Sequence, residues 1–184
     1  MAPDPERFSK EVASVLAGYP DFQLPLLKSE LRQHPLLDSV ARQSSRELFP
    51  DARDPVSAHG GLLLMMGGWQ QSHELAQEIT RQEGSYWHAI THRIEPDIWN
   101  ASYWFRRVGS HPIFEDLRSG AAVIAARDPD AQWKIPDQWD PFEFLDLCEK
   151  AVSEKGGAKG RVAVAVQSLE WRLLFEWCAA PTVG

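Results

Sequence analysis

His88 and His92 stand four residues apart, and Glu95 follows three later. On a helix turning about 100° per residue, these side chains share one narrow arc. Two imidazoles at that spacing can meet one metal ion. Either can also act as acid or base near neutral pH, where an unperturbed imidazole titrates. The segment around them is dense in further chemistry. Between Tyr86 and Pro112 the chain reads YWHAITHRIEPDIWNASYWFRRVGSHP and holds three of the six histidines, three tryptophans and three arginines. Arg93, Arg106 and Arg107 carry forked donors suited to a carboxylate or phosphate. Trp87, Tyr103 and Trp104 can form walls that exclude water. Glu95, Asp97, Asn100 and His111 add further polar groups, and His73 lies on the apolar arc of a preceding helix.

Three readings follow from these residues, and the sequence leaves all three open. In the first, His88 and His92 are catalytic in a small-molecule pocket. His73, Trp87, Arg93, Glu95, Asp97, Asn100, Tyr103, Trp104, Arg106, Arg107 and His111 then bind a polar or anionic ligand. In the second, the polar groups satisfy one another as a buried packing network. In the third, His73, His88 and His92 hold a metal, with Glu95 or Asp97 completing the set. Ala89 stands where a metalloprotease HExxH motif carries its glutamate, and no Glu-x-x-His pair of the di-metal bundles is present. Whether the chain is an enzyme stays undecided at this stage, and no cofactor is assigned.

Trp87, His88, Ile90, His92, Arg93, Glu95, Pro96, Asp97, Asn100, Ala101, Tyr103, Trp104, Arg106, Gly109, His111 and Pro112, with His73 upstream, carry a resemblance. The pattern is similar to WHxIxHRxEPDxxNAxYWxRxxGxHP, found in a family of bacterial and fungal proteins with no assigned activity. The likeness spans 87–112 and implies no chemistry of its own. The helical metal hydrolases built on paired HD motifs are disfavoured, because the chain contains no His-Asp dipeptide.

The elements that must position these residues read as helices. Spacing of apolar residues by three and four predicts helices over 5–16, 25–33, 36–48, 56–81, 86–94, 96–108, 112–126, 141–154 and 161–178. Glu83-Gly84-Ser85 reads as a turn with Ser85 as N-cap, and 128–140 as a proline-containing loop. No run has a convincing strand period. The expectation is an all-α, irregular multi-helix bundle in a single domain over 1–184, with flexible ends at 1–6 and 179–184. His59 reads as a solvated residue of a polar turn. The last helix is apolar on two faces, so it is either central to the core or packed against a second subunit as a homodimer.

Composition narrows the partners. A net charge of −7 and scattered basic residues argue against nucleic acid. The longest apolar run, 60–69, is too short for a membrane span. Cys148 and Cys178 lack CxxC spacing and read as free, packed thiols, and the first residues show no signal-peptide pattern. Together these point to a cytoplasmic protein with a small-molecule ligand.

Overall fold

The computed structural model describes residues 8–181, and the expected flexible segment 1–6 lies outside them. Ten α-helices follow one another, and no strand forms among the described residues. The bundle is all-α, as the periodicity predicts, and no helix among the described residues is long and apolar enough to cross a membrane.

The chain opens with α1 (Lys10–Ala17), capped by Ser9, whose hydroxyl oxygen accepts from the Val12 N–H. The next stretch departs from expectation. Instead of a helix over 25–33 there is a single 3-10 turn, Lys28–Glu30. Before it the backbone runs against α10 (Gly157–Ala179). The Leu24 N–H donates to Ser168 Oγ, and Gln167 Nε2 donates to the carbonyls of Leu24 and Pro25. These bonds replace the helical ladder, and Leu24 and Leu26 are buried two residues apart, as in extended chain.

The expected helix over 36–48 divides into α2 (Leu37–Ala41) and α3 (Ser45–Leu48). They embrace α4 (Pro55–Met65), in which every residue from Ser57 onward is buried. His59 on α4 is therefore not solvated. Its ring meets Ser45 Oγ at 2.9 Å and the Val40 carbonyl at 3.2 Å. Asp54 starts α4: its carboxylate accepts from the Ser57 N–H and hydroxyl and pairs with Arg81 at 2.8 Å.

The long helix expected over 56–81 is two helices. Gly67 takes φ +80°, and a side chain there would strike the Arg32 carbonyl. The chain turns at this point and restarts as α5 (Trp69–Glu78). The predicted turn at 83–85 lies instead inside α6 (Gln82–Ile94), and the break falls earlier, at 79–81. Gly84 serves close packing and not a turn, since a Cβ there would lie 2.4 Å from Ile79 Cβ.

Asp97 caps α7 (Ile98–Val108), and Gly109 at φ +62° ends it. Then come α8 (Phe114–Arg127), a 3-10 turn at Pro129–Ala131 within the predicted loop, and α9 (Pro141–Ser153) capped by Asp140. α10 closes the fold and packs against α4, α8 and α9. Val162, Val166, Trp171, Phe175 and Cys178 of its two apolar faces are buried within one chain, while Val164, Leu169, Leu173 and Trp177 stay partly exposed. Ala179 ends this helix, and the carbonyls of Cys178 and Ala180 accept from the N–H groups of Asp54 and Arg53. The predicted tail is held as far as Pro181, which bridges to Ala52.

Candidate functional site

α6 carries two chemistries on two arcs. One arc turns toward α5 and α7, the other toward α10. The first arc bears His88 and His92, which stack with ring centroids 4.9 Å apart. His73 descends from α5 and meets them both. Its Nε2 lies 2.9 Å from His88 Nε2, and its ring stands edge-on to both His88 and His92. One ligand atom from each of the three falls within 4.8 Å of the others, and the same holds for His92, Glu95 and Asp97.

Aromatic rings hold the imidazoles in place. Trp104 on α7 stacks on His88 at 4.0 Å, and Trp69 stacks on His73 at 5.1 Å. Trp69 is itself fixed by its indole N–H, which donates to the Thr91 carbonyl at 2.9 Å. The α6–α7 link places the acids. Glu95 Oε2 lies 3.5 Å from His92 Nδ1, and Asp97 Oδ2 lies 4.0 Å from the same atom. Asp97 accepts the Asn100 backbone N–H at 3.1 Å and its amide at 2.6 Å. These two bonds hold the Asp97 carboxyl below the usual carboxylate range. Asn100 thus serves the cap and orients Asp97.

Burial, together with the other two imidazoles, pushes His88 down to about 3. Burial also lowers His73, reinforced by Lys28 and opposed by Glu95 and Glu74. His92 is lowered by burial and by His73, against the pull of Asp97 and Glu95. At neutral pH the three rings are uncharged. The Nδ1 atom of His88 is buried without a hydrogen-bond partner, while that of His92 faces Glu95.

The second arc of α6 is different. Arg93 is buried, with its Nε donating to Gln167 Oε1 at 2.8 Å and its Nη2 to Glu170 Oε2. The Tyr86 hydroxyl donates to the other oxygen of Glu170 at 2.9 Å. Phe105 and Phe144 wall in the guanidinium. This is a packing network tying α6 to α10, and it places Arg93 away from the histidine cluster with which the sequence grouped it.

Other predicted site residues also stand apart from the histidines. His111 is buried among Tyr86, Phe114 and Trp177, 3.9 Å from Glu83. Burial pushes it down to about 4 despite that carboxylate, so at neutral pH the approach is not an ion pair. Trp87 is a core residue whose ring fits because position 61 is glycine. Arg106 reaches over Phe142 on α9. Arg107 and Tyr103 stay near the cluster: Arg107 rides over Trp104 at 5.2 Å, and the half-exposed Tyr103 packs edge-on to it at 5.3 Å. A groove of about 930 Å³ between α1, α8 and α10, walled by Tyr19, Phe22, Val123 and Trp171, shares no lining residue with the histidines.

Two members of the site escaped the sequence reading. Trp69 precedes His73 by four residues, the spacing of stacked neighbours on a helix, so a local signal existed. Lys28 carried none: its ammonium pairs with Glu95 and sits 4.1 Å over the Trp69 ring, joining residues 67 positions apart. Comparison of the chain with family models, curated proteins and solved structures gives no match, so its chemistry is read from the site itself.

Proposed function

We propose that the chain binds a divalent first-row transition ion, zinc being the reference case, at His73, His88 and His92, and uses it to act on a small polar or anionic molecule. One observation carries this reading: three uncharged imidazoles from two helices converge with ligand atoms within 4.8 Å. Neutral imidazole is the form that binds a metal. Ligand nitrogens around tetrahedral zinc stand roughly 3.3 Å apart, given Zn–N bonds of about 2.0–2.1 Å. His73 Nε2 and His88 Nε2, 2.9 Å apart, stand close to that value, and a His92 nitrogen lies within 4.8 Å of both.

A packing network offers a weaker account of these three rings. Buried polar atoms are ordinarily paired, yet His88 leaves Nδ1 without a partner. The acid–base role expected of His88 also fits less well. A group held at about 3 is a weak base near neutral pH. Glu95 and Asp97 beside His92 supply an oxygen ligand or an outer acceptor. An ion with three protein nitrogens keeps a position for water, whose pKa it lowers toward about 7. The buried free thiols Cys148 and Cys178 suit a reducing cytoplasm.

Elemental analysis of protein purified without a histidine tag, after incubation with zinc, iron(II) or manganese, tests the proposal. Close to one bound equivalent and a raised Tm are expected, because an ion held only by the folded state stabilises it. His88→Gln should abolish both while leaving the helical circular dichroism intact. A parent protein that retains none of the three ions and gains no thermal stability discards the metal centre.

A further inference from the structure

Lys28 is a cation beside the histidine cluster, joined to it through Glu95 and Trp69. It stands on the Lys28–Glu30 turn, in a segment otherwise tied to α10 by backbone bonds. Its ammonium contacts Glu95 Oε1, while Glu95 Oε2 faces His92 Nδ1 at 3.5 Å. A single carboxylate thus separates the ammonium from the imidazoles. The same ammonium lies 4.1 Å over Trp69, whose ring stacks on His73. Lys28 and Glu95 are both partly exposed, at 42% and 29%, so the ammonium stands at an opening reachable from solvent. An exposed ion pair of this kind holds weakly and exchanges readily.

We propose that Lys28 is the anion-binding residue of the metal site: the ion draws the Glu95 carboxylate to itself, and the released ammonium holds a carboxylate or phosphate group of the molecule bound at the ion. The inference rests on the metal-centre reading. Two features favour it over an ornamental surface pair. Glu95 has one oxygen on each partner, so its carboxylate already stands between the ammonium and His92 Nδ1. Trp69 also keeps the ammonium at the mouth once its carboxylate leaves, through attraction between a cation and the ring face. Arg107, over Trp104 and without an ion pair among the described residues, adds positive charge on the α7 side. Lysine gives a point charge and no bidentate fork, which suits an anion whose orientation the metal already fixes.

Cobalt(II), with its visible spectrum, serves as both metal and reporter, and inorganic phosphate is the anion probe. Cobalt should bind the parent protein, and phosphate should then perturb the cobalt spectrum. Lys28→Met is expected to leave cobalt affinity equal or higher, since Glu95 loses a competitor, and to weaken phosphate about tenfold or more. Lys28→Arg should keep most of the phosphate affinity. Glu95→Gln should weaken cobalt by about 10–100-fold, as loss of a carboxylate ligand or outer partner does. If the parent binds cobalt but Lys28→Met leaves phosphate affinity unchanged, the anion role is overturned and the metal centre stands. If Lys28→Met weakens cobalt as much as Glu95→Gln does, Lys28 supports the fold of the site and the proposal fails. If the parent binds no cobalt, both readings fall. Lys28 is exposed, so unchanged helical circular dichroism in its variants is expected and can be checked in the same samples.

Discussion

At the scale of single residues, α6 holds two kinds of buried polar group, and they should respond oppositely to replacement. Arg93 and Glu170 are a committed pair: Tyr86 and Gln167 add hydrogen bonds, Arg93 Nη1 alone lacks a partner, and both are closed from solvent. Removing one partner strands a buried charge, which costs about 3–5 kcal/mol. Arg93→Met should therefore lower Tm by roughly 6–20 °C for a chain of this size. The double variant Arg93→Met, Glu170→Gln should recover part of that loss in the same thermal melts, because the stranded carboxylate is gone. His88 and His92 are not paired in this sense. Their rings crowd one another and His73, with His88 Nδ1 left over. Groups arranged for function are often suboptimal for stability. His88→Gln and His92→Gln, measured without metal, should melt within a few degrees of the parent or above it. A collapse of both variants comparable to Arg93→Met would assign the histidines to the scaffold.

At the scale of elements, the face of α6 was legible in the sequence, while the breaks between helices were not. The 88, 92, 95 arc follows from 3.6-residue periodicity, which survives into the tertiary structure. Glycine has two uses that periodicity does not separate. At position 67 it supplies φ +80° and ends α4, whereas at position 84 it lets α6 lie against Ile79. Only the neighbouring backbone decides which use applies. The turn at Gly67 also aims α5 so that His73 meets α6. Gly67→Ala places a Cβ 2.4 Å from the Arg32 carbonyl in a conformation that alanine avoids. It should cost more than about 1 kcal/mol. Zinc affinity should fall with it, because His73 shifts. Parallel urea titrations and zinc titrations would show the two effects together, and a destabilised variant with parental zinc affinity would separate α5 placement from the site.

At the scale of the whole molecule, buried uncharged histidines make the fold acid-sensitive. His111 titrates at about 4 in the folded chain against about 6.5 when unfolded, and His59 is lowered as well, both through burial. Between these values the unfolded chain binds the proton and the folded chain does not. Stability is therefore full above about pH 6.5 and declines as pH falls toward 4. His111 alone accounts for up to about 3 kcal/mol of that decline. Urea midpoints measured from pH 7 to 4 should fall steadily. In His111→Asn, destabilised at pH 7 by lost packing, the slope over this window should be shallower. An unchanged slope would mean that His111 is already charged, paired with Glu83. The sequence by itself determined the helical class and the gathering of His88, His92 and Glu95 on one arc. Those depend on residues within a turn or two of each other, where backbone geometry fixes the distances. Only the tertiary structure decided that Arg93 belongs to Glu170, 77 positions away, and Lys28 to Glu95, 67 positions away. Local periodicity states which way a side chain points. It does not state what the rest of the chain has placed there.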